Sequence, residues 1–331
     1  MDINTILFAL LGVLMTGYAV LDGFDLGVGT LSLFIRSEEE RRLYITSIGP
    51  VWDGNQVWLL TTGNVLFCAF PLAFTTVFSG FYLALILLLV ALGARAVATE
   101  YRFEYTSSRW VWFWDRAFGV GSLFSAVILG VALGNVLRGL PIGPGFVWKG
   151  SFLGLLNPYA IWIGLLSCAL FVMHGALYLG MKTEGEVSHR NSRIALRAYV
   201  VFLSLYCVAA AATVHTSPFL FRKADSPAFW GLTALLVTAL AAVPIMIRAR
   251  RRGAAFIASS ATIALMIVVT AWATYPMLVQ SNLDPELSLT IYNAASAPGT
   301  LAAVLVIACI GMPIMLGYTF AVYWIFRGPT R

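Results

Sequence analysis

The chain has 331 residues, of which 60% are hydrophobic and only 11% are charged. A soluble domain has about 25% charged residues. Long apolar runs also occur from one end of this chain to the other, so the composition excludes a soluble globular protein. It predicts an all-α, polytopic integral membrane protein. The net charge of +6 comes from basic residues in short loops beside the apolar runs. This pattern indicates membrane orientation, not nucleic-acid binding.

Nine apolar stretches are predicted to cross the membrane as helices within a single transmembrane domain. They divide into a first four-helix unit (5–137), a second four-helix unit (157–276) and a ninth, peripheral helix (300–326). Parallel repeats of this kind occur in membrane proteins. In chain order, the predicted spans are residues 5–35, 50–70, 75–98, 118–137, 157–181, 194–215, 228–247, 254–276 and 300–326.

The positions of the basic residues predict how the chain is oriented. With nine crossings, 17 of the 21 Lys and Arg residues fall on one side of the membrane and only 4 fall on the other. Because positively charged loops stay in the cytoplasm, the N-terminus is predicted to lie outside and the C-terminus inside. No Lys or Arg precedes the first apolar run, which is too long for a signal-peptide core, so no cleaved signal peptide is predicted.

Two carboxylates lie inside the first apolar stretch, where an ionised group costs about 3 kcal/mol or more. Asp22 and Asp25 are three residues apart and therefore share one face of the helix. On the same helix, the spacing of Gly23 and Gly27 predicts the close approach of a neighbouring helix. A chain does not normally carry such acids without a partner, a water-filled path or a task, and we interpret them as proton-carrying groups.

A third carboxylate, Asp53, lies at the start of the second apolar stretch. Its neighbours make the first helical turns unusually polar, and amides beside a carboxylate can build a hydrogen-bonded path. The alternative is that Asp53 only stabilises the positive end of the helix dipole. The proton pathway that we predict consists of Asp22, Asp25, Asp53, Trp52, Asn55 and Gln56.

Further charged residues are candidates for pairing with these acids. Arg95 ends the third predicted span, and Glu100 follows it. Arg95 is interpreted either as a partner that neutralises a buried acid or as an ordinary residue of the inner interface. Asp115 and Arg116 are predicted to pair with each other at the interface, with little energetic weight.

The sequence predicts no catalytic or metal-binding residue in this chain. His174 is the only histidine predicted to lie inside the membrane, and a packed or hydrogen-bonded role is expected for it. The four cysteines lie in apolar stretches without a CxxC pair, so they are predicted to be buried thiols. The chain therefore has proton-handling groups but no redox centre of its own.

Several stretches resemble subunit II of cytochrome bd-type ubiquinol or menaquinol terminal oxidases. The most specific are LDGFDLGVG (21–29) and PVWDGNQVWL (50–59), because such polar runs are rare in an otherwise apolar helix. The resemblance covers nearly the whole chain and is strongest in its first 190 residues. It continues through FSGFYLALILLL (78–89), residues 95–101, VALGNVLRGLP (131–141), LLNPY (155–159), HGALYLGMKTEGE (174–186) and YPMLVQSNL (275–283).

The resemblance implies a bacterial or archaeal respiratory enzyme of the cytoplasmic membrane that oxidises quinol and reduces oxygen to water. Haem b and haem d are then expected in the partner, subunit I, and none is ligated by this chain. A very small accessory subunit is often present, and a quinone or other lipid occupies a cleft of subunit II in some members. In the family, acids at the positions of Asp22 and Asp53 are thought to line a proton path from the cytoplasm.

Two other functions are compatible with the buried acids. A proton- or cation-coupled secondary transporter would explain the acids, the glycine-rich helix and the repeat. A scaffolding subunit would use the acids only to pair with charges on a neighbouring chain. Haem bands that co-purify with quinol oxidase activity would distinguish the oxidase from both.

Overall fold

α-Helices form most of the computed structural model, which describes residues 2–330. The apolar stretches fold as helices because a backbone inside a membrane must satisfy its hydrogen bonds internally. The helices are α1 (Ile3–Ser32), α2 (Glu38–Ile48), α3 (Trp52–Ala69), α4 (Pro71–Gly80), α5 (Tyr82–Tyr101), α6 (Ser108–Arg138), α7 (Phe152–Leu155), α8 (Pro158–Lys182), α9 (Gly185–Thr216), α10 (Pro227–Arg248), α11 (Arg252–Thr274) and α12 (Pro298–Ile325).

Within residues 2–330, eight helices are long and apolar enough to cross a membrane: α1, α5, α6, α8, α9, α10, α11 and α12. The prediction of an all-α polytopic membrane protein is confirmed. α3 occupies the place of the second predicted span, but it has 18 residues and carries three polar side chains in its first two turns. The ninth crossing and the orientation of the chain stay predictions.

Some predicted boundaries differ from the observed ones. The third predicted span, 75–98, is divided between α4 and α5, because the helix breaks at Phe81. α6 begins at Ser108 and α9 at Gly185, both before the predicted starts at residues 118 and 194. At the start of α6, Ser107 Oγ accepts a hydrogen bond from Trp110 N at 3.3 Å. Hydropathy alone marks the apolar part of such helices and not their full length.

α1 and α8 cross closely at the centre of the fold. A Cβ atom added to Gly27 would lie 1.8 Å from Phe171 O, and one added to Gly175 would lie 2.5 Å from Val28 N. Gly23 lies against the ring of Phe171, where an added Cβ would come within 2.7 Å. The predicted close approach beside Gly23 and Gly27 is confirmed, and the approaching helix is α8.

The contacts among the first helices recur among the later ones. α1 contacts α3 and α6, and α5 contacts α6; correspondingly, α8 contacts α9 and α11, and α10 contacts α11. α12 packs against α3 and α1. This correspondence agrees with two four-helix units and a peripheral ninth helix, a division that stays a prediction.

Short strands join the loops at the side of the bundle where α1 begins. β1 (Ile142–Gly143) pairs antiparallel with β2 (Val147–Trp148), and β3 (Met277–Val279) pairs antiparallel with β4 (Leu289–Thr290). The two hairpins are linked because Leu140 N donates to Gln280 O at 2.8 Å. The loops after α6 and α11 therefore form one connected layer over this end.

The prediction that Asp115 pairs with Arg116 is wrong. Asp115 is buried and accepts from Arg41 Nη1 at 2.7 Å and from Arg102 Nε at 2.5 Å. Arg116 instead lies over the ring of Trp112, 6.0 Å from its centroid. Distant arginines reach Asp115 because α2 and the end of α5 fold against α6, which sequence proximity does not reveal.

The prediction of four buried thiols is wrong for two of them. Cys207 and Cys309 are exposed on the surface of this chain, whereas Cys68 and Cys168 are partly buried. In a membrane helix, the side that faces lipid and the side that faces other helices are both apolar. Hydropathy therefore cannot distinguish a buried thiol from one on the outer surface.

Candidate functional site: a buried polar cluster on the first helix

Asp22 and Arg95 form a buried ion pair between α1 and α5. Asp22 Oδ1 lies 2.5 Å from Arg95 Nη2, and the two side chains are 0% and 1% exposed. The backbone of α5 is held close to α6 beside this pair, because a Cβ atom at Gly121 would lie 2.6 Å from Ala91 O and 3.2 Å from Arg95 N. The guanidinium therefore offsets the cost of burying the Asp22 carboxylate, since a buried charged group needs a partner of opposite sign.

Asp25 has a neutral partner. Its Oδ2 accepts a hydrogen bond from Asn55 Nδ2 at 2.8 Å, and the same amide nitrogen lies 3.2 Å from Leu21 O. The opposite end of this amide is also bound, because Tyr323 Oη donates to Asn55 Oδ1 at 3.0 Å. Helices α1, α3 and α12 thus meet at one amide group, and both of its ends are fixed by hydrogen bonds.

Several buried polar atoms of this cluster keep unused hydrogen-bonding capacity. Among residues 2–330, they have no hydrogen-bond partner, although buried polar groups are nearly always paired in folded proteins. They are Asp22 Oδ2, Asp25 Oδ1, Arg95 Nε, Arg95 Nη1, Tyr18 Oη and Gln56 Nε2. Within this part of the chain, the cluster therefore holds unpaired donors, on Arg95 and Gln56, beside unpaired carboxylate oxygens of Asp22 and Asp25.

The other predicted site residues are arranged differently. Asp53 is exposed on the outer face of α3, on the same side as Val57 and Leu60. Trp52 is partly buried and packs against the core, and Gln56 is partly buried on α3. Asp53 therefore lies on the surface of this chain and not inside the cluster.

Glu100 does not contribute to the cluster. Its side chain is exposed, and it forms no ion pair with any residue between 2 and 330. The structure thus brings Asp22 and Arg95 together and leaves Glu100 outside. Asp25 also has no charged partner among residues 2–330. Its side chain is hydrogen-bonded to the neutral amide of Asn55.

Two tyrosines of the cluster were missed by the sequence analysis. Tyr18 lies one helical turn before Asp22 on α1, a spacing that places the two side chains on the same face. This spacing was a usable signal. Tyr323 lies in the last helix, 268 residues from Asn55, and no local pattern in the sequence connects the two.

His174 is buried between α1 and α11, where both ring nitrogens are occupied. Nδ1 lies 2.6 Å from Ser259 Oγ and Nε2 lies 3.0 Å from Val20 O. The ring stacks on Phe256 with centroids 4.6 Å apart and an interplanar angle of 5°. The packed, hydrogen-bonded role expected for this residue is observed. Within residues 2–330, no group of three or more His, Cys, Asp or Glu side chains is placed to hold a metal ion.

The fold and the cluster define a class of protein: a polytopic helical membrane protein with a buried carboxylate–guanidinium pair and a second, amide-bound carboxyl on its first helix. Comparisons with known proteins identify the family. The model for cytochrome bd terminal oxidase subunit II matches residues 3–326. This chain belongs to that family and is therefore a subunit of an oxidoreductase complex.

Similar proteins agree with this assignment. Cytochrome bd-I ubiquinol oxidase subunit 2 of Escherichia coli is 35% identical over 95% of this chain and 92% of its own length. Cytochrome bd ubiquinol oxidase subunit 2 of Bacillus subtilis is 32% identical over 98% of this chain and 96% of its own length. A chain of the bd oxidase structure from Geobacillus thermodenitrificans superposes with a TM-score of 0.82, covering 98% of this chain and 99% of that chain at 19% identity, which shows a shared fold.

Membership in the family implies a partner, subunit I, that carries the haems. It confirms the resemblance found in the sequence and gives no support to the transporter. The relatives named above are bacterial, and the expectation of an archaeal source has no support among them.

Proposed function

We propose that this chain supports quinol oxidation and the four-electron reduction of oxygen to water by assembling with subunit I and supplying protons from the cytoplasm. The Escherichia coli and Bacillus subtilis relatives are named as subunits of ubiquinol oxidases, which supports a quinol as the electron donor. The multi-pass fold and the bacterial relatives support a location in the bacterial cytoplasmic membrane.

The partner's haem groups, for which we propose haem b and haem d, supply the electron transfer and the oxygen chemistry. The residues of this chain would hold and move protons. A very small accessory subunit and a quinone or other lipid bound to this subunit also belong to the proposal, on the resemblance to the family alone.

One observation carries the proton-supply role: Asp22 and Asp25 share a helix face but have different partners. Asp22 is neutralised by Arg95, whereas Asp25 is hydrogen-bonded to the uncharged amide of Asn55. Asp25 can therefore take up and release a proton without breaking an ion pair. Asp22 is better suited to stabilise the charge of the cluster through its salt bridge.

Asp53 fits the start of the same path. It lies in the first turn of α3, three residues before Gln56, so that these two side chains share a side of the helix. Its exposure on this chain supports a role as the entry point for protons. The proposed order is Asp53, then the polar turn that contains Gln56 and Asn55, and then Asp25.

The decisive experiment is the Asp25→Asn variant of the purified complex. Asn keeps the size and hydrogen bonding of the side chain but cannot exchange a proton, so we expect turnover to fall at least tenfold, or about 1.4 kcal/mol in the barrier. Quinol-driven oxygen consumption measures turnover, and reduced-minus-oxidised spectra measure haem content. Asp284→Asn, in the loop between β3 and β4, is the matched control.

The outcomes separate the proposal from the scaffold hypothesis. Low turnover with full haem content supports a proton role for Asp25. If Asp22→Asn, Asp25→Asn and Asp53→Asn all keep wild-type turnover, the proton-supply role is excluded. The scaffold hypothesis, in which this chain contributes only to assembly, would then be favoured. Loss of haem from these variants would instead identify the acids as contributors to assembly.

A further inference from the structure

A basic cavity lies at the end of the bundle that is predicted to face the cytoplasm, remote in sequence from the buried carboxylates. It has a volume of about 420 Å³ and is formed where α9 meets the linker between α10 and α11. Its lining contains four guanidinium groups but, among the described residues, one carboxylate, that of Glu186. The arginines are Arg193, Arg248, Arg250 and Arg252.

Most of this positive charge is not neutralised within the chain. Arg193 Nη2 lies 3.0 Å from Glu186 Oε1, which accounts for the carboxylate. Between residues 2 and 330, Arg248, Arg250 and Arg252 take part in no ion pair. Three guanidinium groups that line one cavity without paired acids repel one another, and an anion in the cavity would relieve this repulsion.

The backbone at Arg250 has an unusual conformation. Its φ is +59°, in the left-handed region that favours glycine. The turn is held because Arg250 N donates to Ile247 O and Arg251 N donates to Met246 O, each at 3.0 Å. Glycine would fit this helix cap with less strain, so an arginine here indicates that its side chain has a role.

The first residue of α11, Arg252, also lines this cavity. α11 begins at Arg252, and its N-cap residue, Arg251, makes no side-chain capping hydrogen bond. The first N–H groups of a helix have no partner inside the helix and attract anions. The cavity thus combines guanidinium groups with a helix N-terminus, the two kinds of donor that bind phosphate best.

The remaining walls of the cavity are partly apolar. Leu196 of α9 and Ile247 of α10 line it, and α10 and α11 are both long and apolar enough to span the membrane. A linker of only three residues connects them, so the cavity lies close to the membrane boundary. The preference of basic loops for the cytoplasm explains the side on which these arginines lie, but not why they line the same cavity.

We propose that this cavity binds the headgroup of an anionic phospholipid. The phosphate would contact the guanidinium groups of Arg248, Arg250 and Arg252 and the N-terminus of α11. The glycerol ester region would lie against Leu196 and Ile247. Basic cavities between membrane helices bind anionic headgroups in this way, and the site does not depend on the proposed proton pathway.

The test uses the whole purified oxidase complex, stripped of loosely bound lipid and titrated with phosphatidylglycerol under native mass spectrometry. We expect the wild type to retain this lipid at least tenfold more tightly than the triple variant Arg248→Gln/Arg250→Gln/Arg252→Gln. Arg197→Gln is the matched control, because Arg197 is exposed on α9 but does not line the cavity. Phosphatidylcholine, which is zwitterionic, serves as the control lipid.

A photoreactive phosphatidylglycerol added to the wild-type complex provides a second measurement that does not depend on folding of the triple variant. Crosslinks within residues 186–196 and 247–252 support the site, and crosslinks confined to other segments overturn it. Equal retention by the wild type and the triple variant also overturns the proposal, as does equal retention of phosphatidylcholine. If inorganic phosphate binds to the wild type and excludes the lipid, the site is one for a free anion and not for a lipid headgroup.

Discussion

Tyr323 Oη lies 3.0 Å from Asn55 Oδ1, so the last helix of the chain contacts the amide that binds Asp25. α12 is otherwise the most exposed of the long helices, because only 11% of its apolar 18-residue segment is buried. This hydrogen bond therefore links a peripheral helix to the centre of the candidate site. We expect Tyr323 to act as a positioning residue, because its hydrogen bond fixes which end of the Asn55 amide faces the carboxyl group.

Replacing Tyr323 by Phe removes this hydrogen bond and leaves the ring. We expect the complex to lose about 1 kcal/mol of stability and turnover to fall several-fold, because the Asn55 amide can then rotate away from Asp25. Thermal unfolding and quinol-driven oxygen consumption measure the two effects. Tyr318→Phe on the same helix is the control, since the hydroxyl of Tyr318 has no hydrogen-bond partner within residues 2–330; equal losses in both variants would argue against positioning.

Loss of one member of the Asp22–Arg95 pair is predicted to impair assembly of the complex. Both side chains are buried, and removal of one partner from a buried ion pair costs about 3–5 kcal/mol because the other charge is left uncompensated. Arg95→Gln should therefore lower the yield of haem-containing complex sharply. Because the double variant Asp22→Asn/Arg95→Gln leaves no unpaired charge, it should recover much of the loss. A double variant that is as poor as the sum of the two single variants would show that the residues do not act as a pair.

Asp53→Asn should affect turnover without affecting the stability of this chain. Asp53 is exposed and makes no side-chain hydrogen bond or ion pair within the described residues, so its removal costs no contact here. If it is the entry point for protons, oxygen consumption falls while the melting temperature and haem content stay at wild-type values. A fall in haem content would instead place Asp53 at a contact needed for assembly with subunit I.

Gly27→Ala should disrupt the crossing of α1 and α8. The added Cβ would lie 1.8 Å from Phe171 O, and relieving a clash with backbone requires the helices to separate. The cost is expected at or above the upper end of the roughly 1–3 kcal/mol typical of overpacking. Gly12→Ala on the same helix is the matched control, since nothing lies within 4 Å of its added Cβ. The yield and melting temperature of the complex measure the difference.

The sequence predicted those features that depend on local composition and spacing. Asp22 and Asp25 could be placed on one buried face of α1, and Gly23 and Gly27 on a close helix contact, because the helical repeat relates residues three and four apart. The family could be predicted because the polar stretches at 21–29 and 50–59 are rare in membrane helices.

Contacts between distant helices could not be derived in the same way. Both interpretations of Arg95 were equally consistent with its place at the end of a span, and only the packing of α5 against α1 selects Asp22 as its partner. Tyr323 joins the site for the same reason. Asp53 was grouped with the buried acids because depth along a helix can be read from the sequence, whereas the direction in which a side chain faces the bundle depends on the neighbouring helices.

Tyr44 offers a prediction about alkaline pH, outside the membrane spans. Its hydroxyl is buried under α2 and donates to Asn191 Oδ1 at 2.7 Å. Burial raises the pKa of Tyr44 to about 12, although the hydrogen bond to Asn191 opposes this change. In the unfolded chain the pKa of tyrosine is about 10. The contribution of the protonated Tyr44 hydroxyl to the free energy of unfolding is therefore complete below about pH 10. It is lost as the pH rises towards 12.

Since one pKa unit corresponds to about 1.4 kcal/mol, the loss from Tyr44 approaches roughly 3 kcal/mol at the alkaline limit. Tyr44→Phe cannot ionise, so its melting temperature should be lower than that of the wild type at pH 8 but should fall less steeply above pH 10. Thermal unfolding of the purified complex across this pH range measures both slopes. Tyr105→Phe, at an exposed position, should follow the wild type; if Tyr44→Phe follows it too, the phenol of Tyr44 does not control the alkaline stability.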